Sequence, residues 1–252
     1  MDFDYGLNSS IQKEMNYTER KFINGSHLKI FAIMAMLIDH IGYYILDFLD
    51  NTHQILFTVA GLDFSPYFIT RFIGRSAFPI FAFLIMEGFI HTRNRFKYGR
   101  NLMLFALISE IPWNLVHSNQ FFYEKQNVFF TLFLGFLTLC TIEKFKNNLG
   151  KLLSILILIF ATAYFLRADY GYMGVAFITL MYILRSNKML MTIVGTCVLP
   201  QKWIGGLAFI PISFYNGERG FIKNKVAKYS FYAFYPVHLL IIYLIKLYLF
   251  GS

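Results

Sequence analysis

Charged residues are scarce in this chain. Asp, Glu, Lys and Arg together make up 15% of its 252 residues, whereas an average soluble domain carries roughly 25%. Hydrophobic residues account for 57% and aromatic residues for 19%, with 30 Phe and 17 Tyr. A soluble globule of this size cannot bury so much apolar surface, and a disordered chain is far more polar. The composition therefore excludes both classes and indicates a membrane protein.

Cysteine and the common catalytic signatures are also lacking. The two cysteines, Cys140 and Cys197, lie within apolar runs, which excludes a disulfide framework and a cysteine-based metal site. The six histidines are scattered without the spacing of metal ligands, so we expect no metal. No P-loop, G-x-S-x-G elbow or Rossmann fingerprint occurs, so ATP hydrolysis, serine-elbow hydrolysis and hydride transfer have no basis in the sequence.

The sequence has neither a basic nucleic-acid surface nor a cleavable leader. The net charge is +9, but Lys and Arg fall between apolar runs rather than along one polar face, so we expect no nucleic-acid partner. The first 27 residues are polar and lack the basic, apolar and small-residue order of a signal peptide. We therefore expect the first apolar run to remain in the protein as a membrane helix.

Long apolar runs dominate what is present, and a membrane helix needs about 20 mostly apolar residues. The sequence predicts an all-α polytopic membrane protein with nine helices, at 28–48, 67–90, 101–117, 127–143, 151–167, 171–185, 189–201, 203–216 and 229–249. The seventh and eighth runs are short and are separated only by residues 200–202, so they form either two crossings or one helical hairpin that does not cross fully.

The distribution of basic residues between the runs gives the orientation. Seventeen Lys and Arg fall in alternate gaps that include the N-terminal segment, four fall on the opposite side, and Arg71 and Arg75 lie within the second run. Cytoplasmic loops collect basic residues. The pattern therefore predicts a cytoplasmic segment over 1–27, a single multi-pass transmembrane domain over 28–252 and an external C-terminus.

Several ionisable residues lie within the apolar runs, where they mark functional sites by default. In the first helix, Lys29 begins the run and His40 follows eleven residues later, roughly 16 Å deeper at 1.5 Å per residue. The i and i+4 spacing places Arg71 and Arg75 on one helix face, and likewise Glu110 and Asn114. Three consecutive helices are thus predicted to form one polar layer of Asp39, His40, Arg75, Glu110 and Asn114.

Structural roles compete with catalytic ones for these residues. Arg75 with Glu110 or Asp39 also fits a buried ion pair that fixes helix register. A membrane histidine such as His40 also fits an interhelical hydrogen bond, and for His238 in the last helix a structural role is favoured. The basic cluster from Arg93 to Arg100 is first of all a topology signal.

A series of motifs runs along the chain from about residue 28 to 245, at 28–29, 39–42, 74–84, 87–88, 108–112, 127–128, 169–171, 174, 215–217, 219–220 and 229–239. As a set and in this order they resemble the TraX family, which is named for the protein that acetylates the N-terminus of F pilin. That family is similar in turn to the acyltransferase-3 and heparan-acetyltransferase group, whose first helix carries Lys or Arg, ten residues and then His, as at Lys29 and His40. The resemblance implies a multi-pass protein of the bacterial cytoplasmic membrane.

The resemblance implies a membrane acetyltransferase that uses cytoplasmic acetyl-CoA as co-substrate. Its acceptor would be an extracytoplasmic peptide amine or a glycan or other surface hydroxyl, and its remaining partner membrane lipid. His40 would act as general base or carry the acetyl group, and Arg75 would stabilise the oxyanion. The other implied roles are catalytic support for Asp39 and Glu110, cofactor binding for Lys29, Arg93, Arg95 and Lys97, and acceptor binding for Arg71, Trp113 and Asn114.

Two other classes of function fit the same charges. A small-solute or proton-coupled transporter would use them as an ion pathway. A catalytically idle scaffold would use them only to fix the helices.

The charge bias leads to a direct test of topology. Single cysteines introduced at His53 and Gln120 should react with an impermeant maleimide in intact cells, whereas cysteines at Arg95, Asn147 and Lys223 should react only after permeabilisation. Labelling at Lys223 from outside, with protection at Arg95, would contradict two full crossings by the short pair.

Overall fold

The computed structural model describes residues 21–199 and 202–251, so most of the predicted polar segment lies outside the described residues. Two 3-10 helices, Leu46–Phe48 and Lys202–Ala208, and two strands, β1 Phe57–Val59 and β2 Leu62–Phe64, accompany the α-helices. The α-helices are α1 Gly25–Tyr44, α2 Pro66–Gly74, α3 Ala77–His91, α4 Arg95–Ser118, α5 Val128–Phe145, α6 Leu149–Phe165, α7 Gly171–Ile183, α8 Lys188–Val198, α9 Phe209–Ser213 and α10 Lys225–Phe250.

Asparagine begins most of the helices. An asparagine side chain at the N-cap accepts a hydrogen bond from a backbone N–H of the first turn, which no carbonyl within the helix can satisfy. In α1 the cap is reciprocal, because the backbone N–H of Asn24 also donates to Nδ1 of the His27 side chain. Local sequence thus sets where each apolar run becomes helical. The capping asparagines are Asn24, Asn94, Asn127, Asn148, Asn187 and Asn224.

The helices follow the predicted apolar runs, and the architecture is that of a helical membrane protein. Among the described residues, four segments are long and apolar enough to cross a membrane: Gly25–Phe48, Pro66–His91, Val128–Phe145 and Lys225–Phe250. The second of these is interrupted at Arg75 and Ser76, between α2 and α3. Nine crossings and the orientation stay predictions.

The short pair at α8 and α9 has the lengths of a hairpin. α8 has 11 residues, or roughly 16 Å at 1.5 Å per residue, which is about half of the hydrocarbon thickness. After residue 202 the chain returns to α8, since Gly205 lies against Leu199 and near the Arg75 carbonyl at the break between α2 and α3. The lengths favour a hairpin that enters and leaves on one side, and this arrangement preserves the alternation of basic loops.

A small β-hairpin between α1 and α2 was not predicted. β1 and β2 pair antiparallel, with Thr58 opposite Asp63. Ala60 and Gly61 at the turn both have positive φ, 52° and 77°, as a two-residue hairpin of type I′ requires. The strands have three residues each, too few to leave a clear alternating pattern.

Two glycines let α1 and α2 approach closely. A Cβ on Gly42 would lie 2.2 Å from Thr70 Oγ1, and a Cβ on Gly74 would lie 2.2 Å from Asp39 Cβ and Oδ1. These contacts leave no room for a methyl group, so the glycines set the distance between the helices.

We expect Gly74→Ala to destabilise the protein because the added methyl overlaps Asp39. The cost should be about 1 to 3 kcal/mol, as for other overpacked cores, measured by unfolding in detergent. Gly150→Ala is the matched control, because a Cβ at that position would come no closer than 3.8 Å to its neighbour Asn148 Oδ1. Equal stability of the two variants would show that the contact at Asp39 is not tight.

Candidate active site

A cavity of about 600 Å³ opens where most of the predicted cytoplasmic loops meet. The start of α1, the α3–α4 connection, the chain before α10 and the start of α10 form its mouth. Its walls become apolar toward Met36 and Phe129, and Tyr235 also lines it. The basic side chains around it are Lys29, Arg93, Arg219 and Lys228.

The loop at 214–222, which carries Arg219, is bonded to the start of α1. Gly25 N donates to Glu218 O at 2.8 Å, Ser26 Oγ donates to Arg219 O at 3.1 Å, and Ile222 N donates to Ser26 Oγ at 2.8 Å. Ser26 is fully buried. These bonds hold the Arg219 backbone at the mouth.

One acidic side chain, Glu87, lies among the described residues that line the cavity. Its carboxylate accepts a hydrogen bond from Tyr215 Oη at 2.9 Å and lies 3.3 Å from His91 Nε2. Tyr215 is in the loop between α9 and α10, and burial together with the Glu87 carboxylate raises the pKa of its hydroxyl. The mouth therefore keeps an excess of positive charge.

At the depth of the inner cavity walls, two histidines from the first and last helices form a pair. His40 Nδ1 and His238 Nε2 are 2.7 Å apart, and the rings lie nearly parallel with centroids 4.9 Å apart. Met36, one helical turn before His40, lines the cavity, as does Tyr235, whose ring meets both imidazoles edge-on. The packing of α10 against α1 and α4 brings the two histidines together.

The hydrogen bonds of the pair determine where its protons lie. His238 Nδ1 is 2.8 Å from Phe234 O, and a carbonyl only accepts, so this nitrogen carries a proton. In the neutral ring His238 Nε2 is then the acceptor, and His40 Nδ1 donates to it. The remaining nitrogen, His40 Nε2, has a lone pair and no hydrogen-bond partner among the described residues. A nitrogen in this state can accept a proton or attack a carbonyl.

Arg71, rather than Arg75, pairs with Asp39. Arg71 Nη1 lies 2.7 Å from Asp39 Oδ2 and donates to the Asp39 carbonyl at 3.3 Å. Its guanidinium also lies 4.7 Å above the centre of the Tyr43 ring. No ion pair joins Arg75 to Asp39 or Glu110 in the described part of the chain. The structural ion pair with Asp39 that the sequence suggested for Arg75 is thus formed by Arg71.

A carboxylate that the sequence did not single out for the site, Asp169, lies near Arg75. Asp169 is in the connection between α6 and α7, and burial raises its pKa to about 6 against the opposing effects of the Tyr170 amide and the Arg75 guanidinium. Phe78 stacks on the Tyr170 ring at 3.8 Å, which fixes this connection over the α2–α3 break.

The remaining predicted catalytic and acceptor residues fasten the connection between α4 and α5. Glu110 accepts hydrogen bonds from the backbone N–H and the side chain of Asn127. Asn114 Nδ2 donates to Phe121 O at 2.8 Å, and Trp113 Nε1 donates to Lys125 O at 2.7 Å. The single polar layer predicted from the sequence is therefore not formed. Its residues belong to separate pairs, such as Asp39 with Arg71 and Glu110 with Asn127, and His40 pairs with His238 because α10 packs on α1 and α4.

Two of the four predicted cofactor residues, Lys29 and Arg93, line the cavity. Arg95 instead lies 4.2 Å above the Phe89 ring, and Lys97 is exposed and does not line the cavity. Sequence reasoning did not select Lys228 or Arg219 as site residues, although both belong to the basic stretch that precedes the last apolar run. Within the described ranges, no group of three or more His, Cys, Asp or Glu could hold a metal ion.

Comparison with known proteins gives the family. Residues 24–246 match the family described as TraX protein. The chain belongs to the TraX family. It is also 28% identical, over 88% of its length and 95% of the relative's, to a protein of Dichelobacter nodosus described as "Probable fimbrial assembly protein FimC, serogroup H1". No solved structure matches at a significant level. The TraX match includes both histidines and all four basic residues of the cavity.

The proton arrangement of this TraX-family site is open to a spectroscopic test. In ¹⁵N-histidine protein in liposomes at pH 7.5, solid-state NMR should find His40 protonated at Nδ1 and unprotonated at Nε2. His238→Phe should abolish this preference, because the phenyl ring cannot accept the proton. His117 serves as internal control, since its Nδ1 is 2.8 Å from Trp113 O and should remain protonated. A proton on His40 Nε2 in the wild type would contradict the assignment.

Proposed function

We propose that this protein is a polytopic acetyltransferase of the bacterial inner membrane. It transfers the acetyl group of cytoplasmic acetyl-CoA to a pilin-type N-terminal amine or a surface hydroxyl beyond the membrane. The observation that carries the proposal is a basic-mouthed cavity whose wall includes Tyr235, because the ring of Tyr235 lies directly against the His40–His238 pair. Membership of the TraX family and the likeness to a fimbrial assembly protein support a role connected with pilin.

The cofactor proposal rests on the charge of the mouth. Lys29, Arg93, Arg219 and Lys228 surround an opening that the positive-inside rule assigns to the cytoplasm. Charged hydrogen-bond donors of this kind bind phosphate oxygens strongly. The apolar part of the cavity, around Met36 and Phe129, suits an uncharged chain that ends in a thioester. Acetyl-CoA combines these two features and is made inside the cell.

His40 performs the proton transfer in this proposal. As the acceptor amine attacks the thioester carbonyl carbon, its proton passes to His40 Nε2. The tetrahedral intermediate then collapses, the C–S bond breaks, and the thiolate of CoA takes the proton back from His40. His238 keeps His40 in the reactive tautomer and stabilises the charged ring as it forms. Transfer through an acetylated Nε2 uses the same lone pair.

The other predicted site residues have positioning roles in this proposal rather than a part in the chemical step. Asp39 and Arg71 hold α2 against α1 beside His40 through their ion pair. Glu110, Trp113 and Asn114 shape the α4–α5 connection on the predicted outer side, where the acceptor would arrive. Arg75 lies close enough to Asp169 to lower the pKa of that carboxyl.

A proton-coupled transporter is the second candidate. The observation that favours it is a further bonded pair beyond His40, since Tyr44 Oη is 2.8 Å from His117 Nε2 and the His40 and Tyr44 rings are in contact at 5.6 Å. His238, His40, Tyr44 and His117 thus extend toward the predicted outer face. A transporter has no reason to bind CoA, and this property separates the two candidates.

Binding and turnover together test the acetyltransferase. CoA and desulfo-CoA should raise the melting temperature of the purified protein in detergent. Arg219→Gln and Lys228→Gln should each weaken CoA binding by about tenfold, because a hydrogen bond to a charged group contributes about 1.5 to 3 kcal/mol. Lys97→Gln, which removes an exposed charge away from the cavity, is the matched control. His40→Ala should keep CoA affinity and lose transfer of ¹³C-acetyl to envelope peptides and glycans, read by mass spectrometry.

Each measurement has an outcome against the proposal. No stabilisation of the wild type by CoA would exclude the acetyltransferase and leave the transporter. Equal loss of affinity in Lys97→Gln would mean that the mouth acts only through its overall charge. A His40→Ala rate above about a tenth of wild type would remove His40 as the base, since positioned proton transfer contributes roughly 10² to 10⁴ in rate.

A further inference from the structure

Tyr235 lies between the cavity and the histidine pair. Its side chain is 3% exposed and lines the cavity. The ring centroid is 6.2 Å from that of His40 and 5.6 Å from that of His238, both edge-on, and Phe129 packs against it at 5.3 Å. The ring is thus held on several sides beside the proposed base.

The Tyr235 hydroxyl is buried, and its proton finds no acceptor among the described residues. The backbone N–H of Val128 lies close to the hydroxyl oxygen but can only donate to it. In the described part of the chain four other buried polar atoms lack a partner, on Asp39, Asn101, Ser109 and Asn114, and none of these residues lines the cavity. A buried O–H without an acceptor costs about 1 to 3 kcal/mol, which phenylalanine would avoid with the same shape.

The other buried tyrosines among the described residues have acceptors, since Tyr44 bonds His117, Tyr182 donates to Glu143, and Tyr215 donates to Glu87. The more exposed Tyr243, farther along α10, donates to Asn119 Oδ1 at 2.6 Å. Of the buried tyrosines that the structure describes, Tyr235 is thus the one whose hydroxyl proton has no acceptor, and its ring contacts that of His40.

We propose that the Tyr235 hydroxyl donates a hydrogen bond to the carbonyl oxygen of the thioester. This inference rests on the proposed acetyltransferase. When the amine nitrogen bonds to the carbonyl carbon, the C=O π electrons move to the oxygen, and Tyr235 stabilises the resulting oxyanion. The electrons return as the C–S bond breaks, so Tyr235 keeps its proton throughout, while the amine proton travels through His40 to the thiolate.

Tyr235 takes the role that the sequence suggested for Arg75. Arg75 does not line the cavity, and its guanidinium acts electrostatically on the buried Asp169 carboxyl. A neutral donor in an apolar wall binds a developing oxyanion without the larger cost of burying a charge.

Tyr235→Phe tests this proposal, because it should leave the melting temperature unchanged or raise it while lowering the rate of acetyl transfer. Without ligand the variant should melt at the same temperature as wild type or higher, because the buried hydroxyl proton that it removes has no acceptor. It should bind desulfo-CoA normally and transfer acetyl about 10² times more slowly, as when one oxyanion donor is removed. Wild type should bind acetonyl-CoA, a stable ketone analogue, about 2 to 10 times more tightly than desulfo-CoA, the range of one net hydrogen bond. The variant should lose this preference.

Tyr243→Phe is the matched control, since it makes the same change on the same helix outside the cavity, and should keep both rate and preference. Wild-type rate or an unchanged acetonyl-CoA preference in Tyr235→Phe would overturn the assignment, and a lowered melting temperature would indicate a structural role instead. Failure of the wild type to bind CoA at all would refute the proposed function, which is a different result.

Discussion

The packing of α10 against α1 and α4 is the contact on which the candidate site depends. This helix supplies Lys228 at the cavity mouth, Tyr235 at the cavity wall and His238 beside His40. Each lies on one continuous helix, whose rise of 1.5 Å per residue fixes their relative depth. A displacement of α10 would therefore disturb the histidine pair together with the proposed contacts to phosphate and to the thioester carbonyl.

Polar groups in the apolar interior are mostly stabilised as pairs. Hydrocarbon offers no hydrogen bonds, so a buried donor or acceptor needs a partner from a neighbouring helix. Asp39 with Arg71, Glu110 with Asn127, Tyr44 with His117, and Thr138 with Thr179 meet this need across different elements. Each pair stabilises the bundle only locally. Among the described residues, the proton of Tyr235 Oη in the cavity wall has no acceptor, and His40 Nε2, whose ring contacts that of Tyr235, has no hydrogen-bond partner, so the proposed reaction uses these two groups.

Much of the architecture could be predicted from the sequence, because hydropathy and asparagine caps are local signals. The helices lie where the apolar runs predicted them, and the TraX family was identified from motifs. The partners inside the bundle could not be derived in this way. Arg71 and Arg75 share one helix face, and only the close approach at Gly74 decides that Arg71 reaches Asp39. His238 was assigned a structural role because nothing in its local sequence indicates contact with a residue 198 positions away.

The loop at 214–222 is attached to α1 through main-chain atoms and the small Ser26 hydroxyl, so the Arg219 side chain takes no part in these bonds. Gly25 and Gly220 leave room for this contact, since a Cβ on Gly220 would lie 2.3 Å from Asn24 Oδ1. The shape of this loop therefore does not depend on the Arg219 side chain. Substitutions of Arg219 can change which acyl donor the proposed site accepts, while the loop keeps its shape.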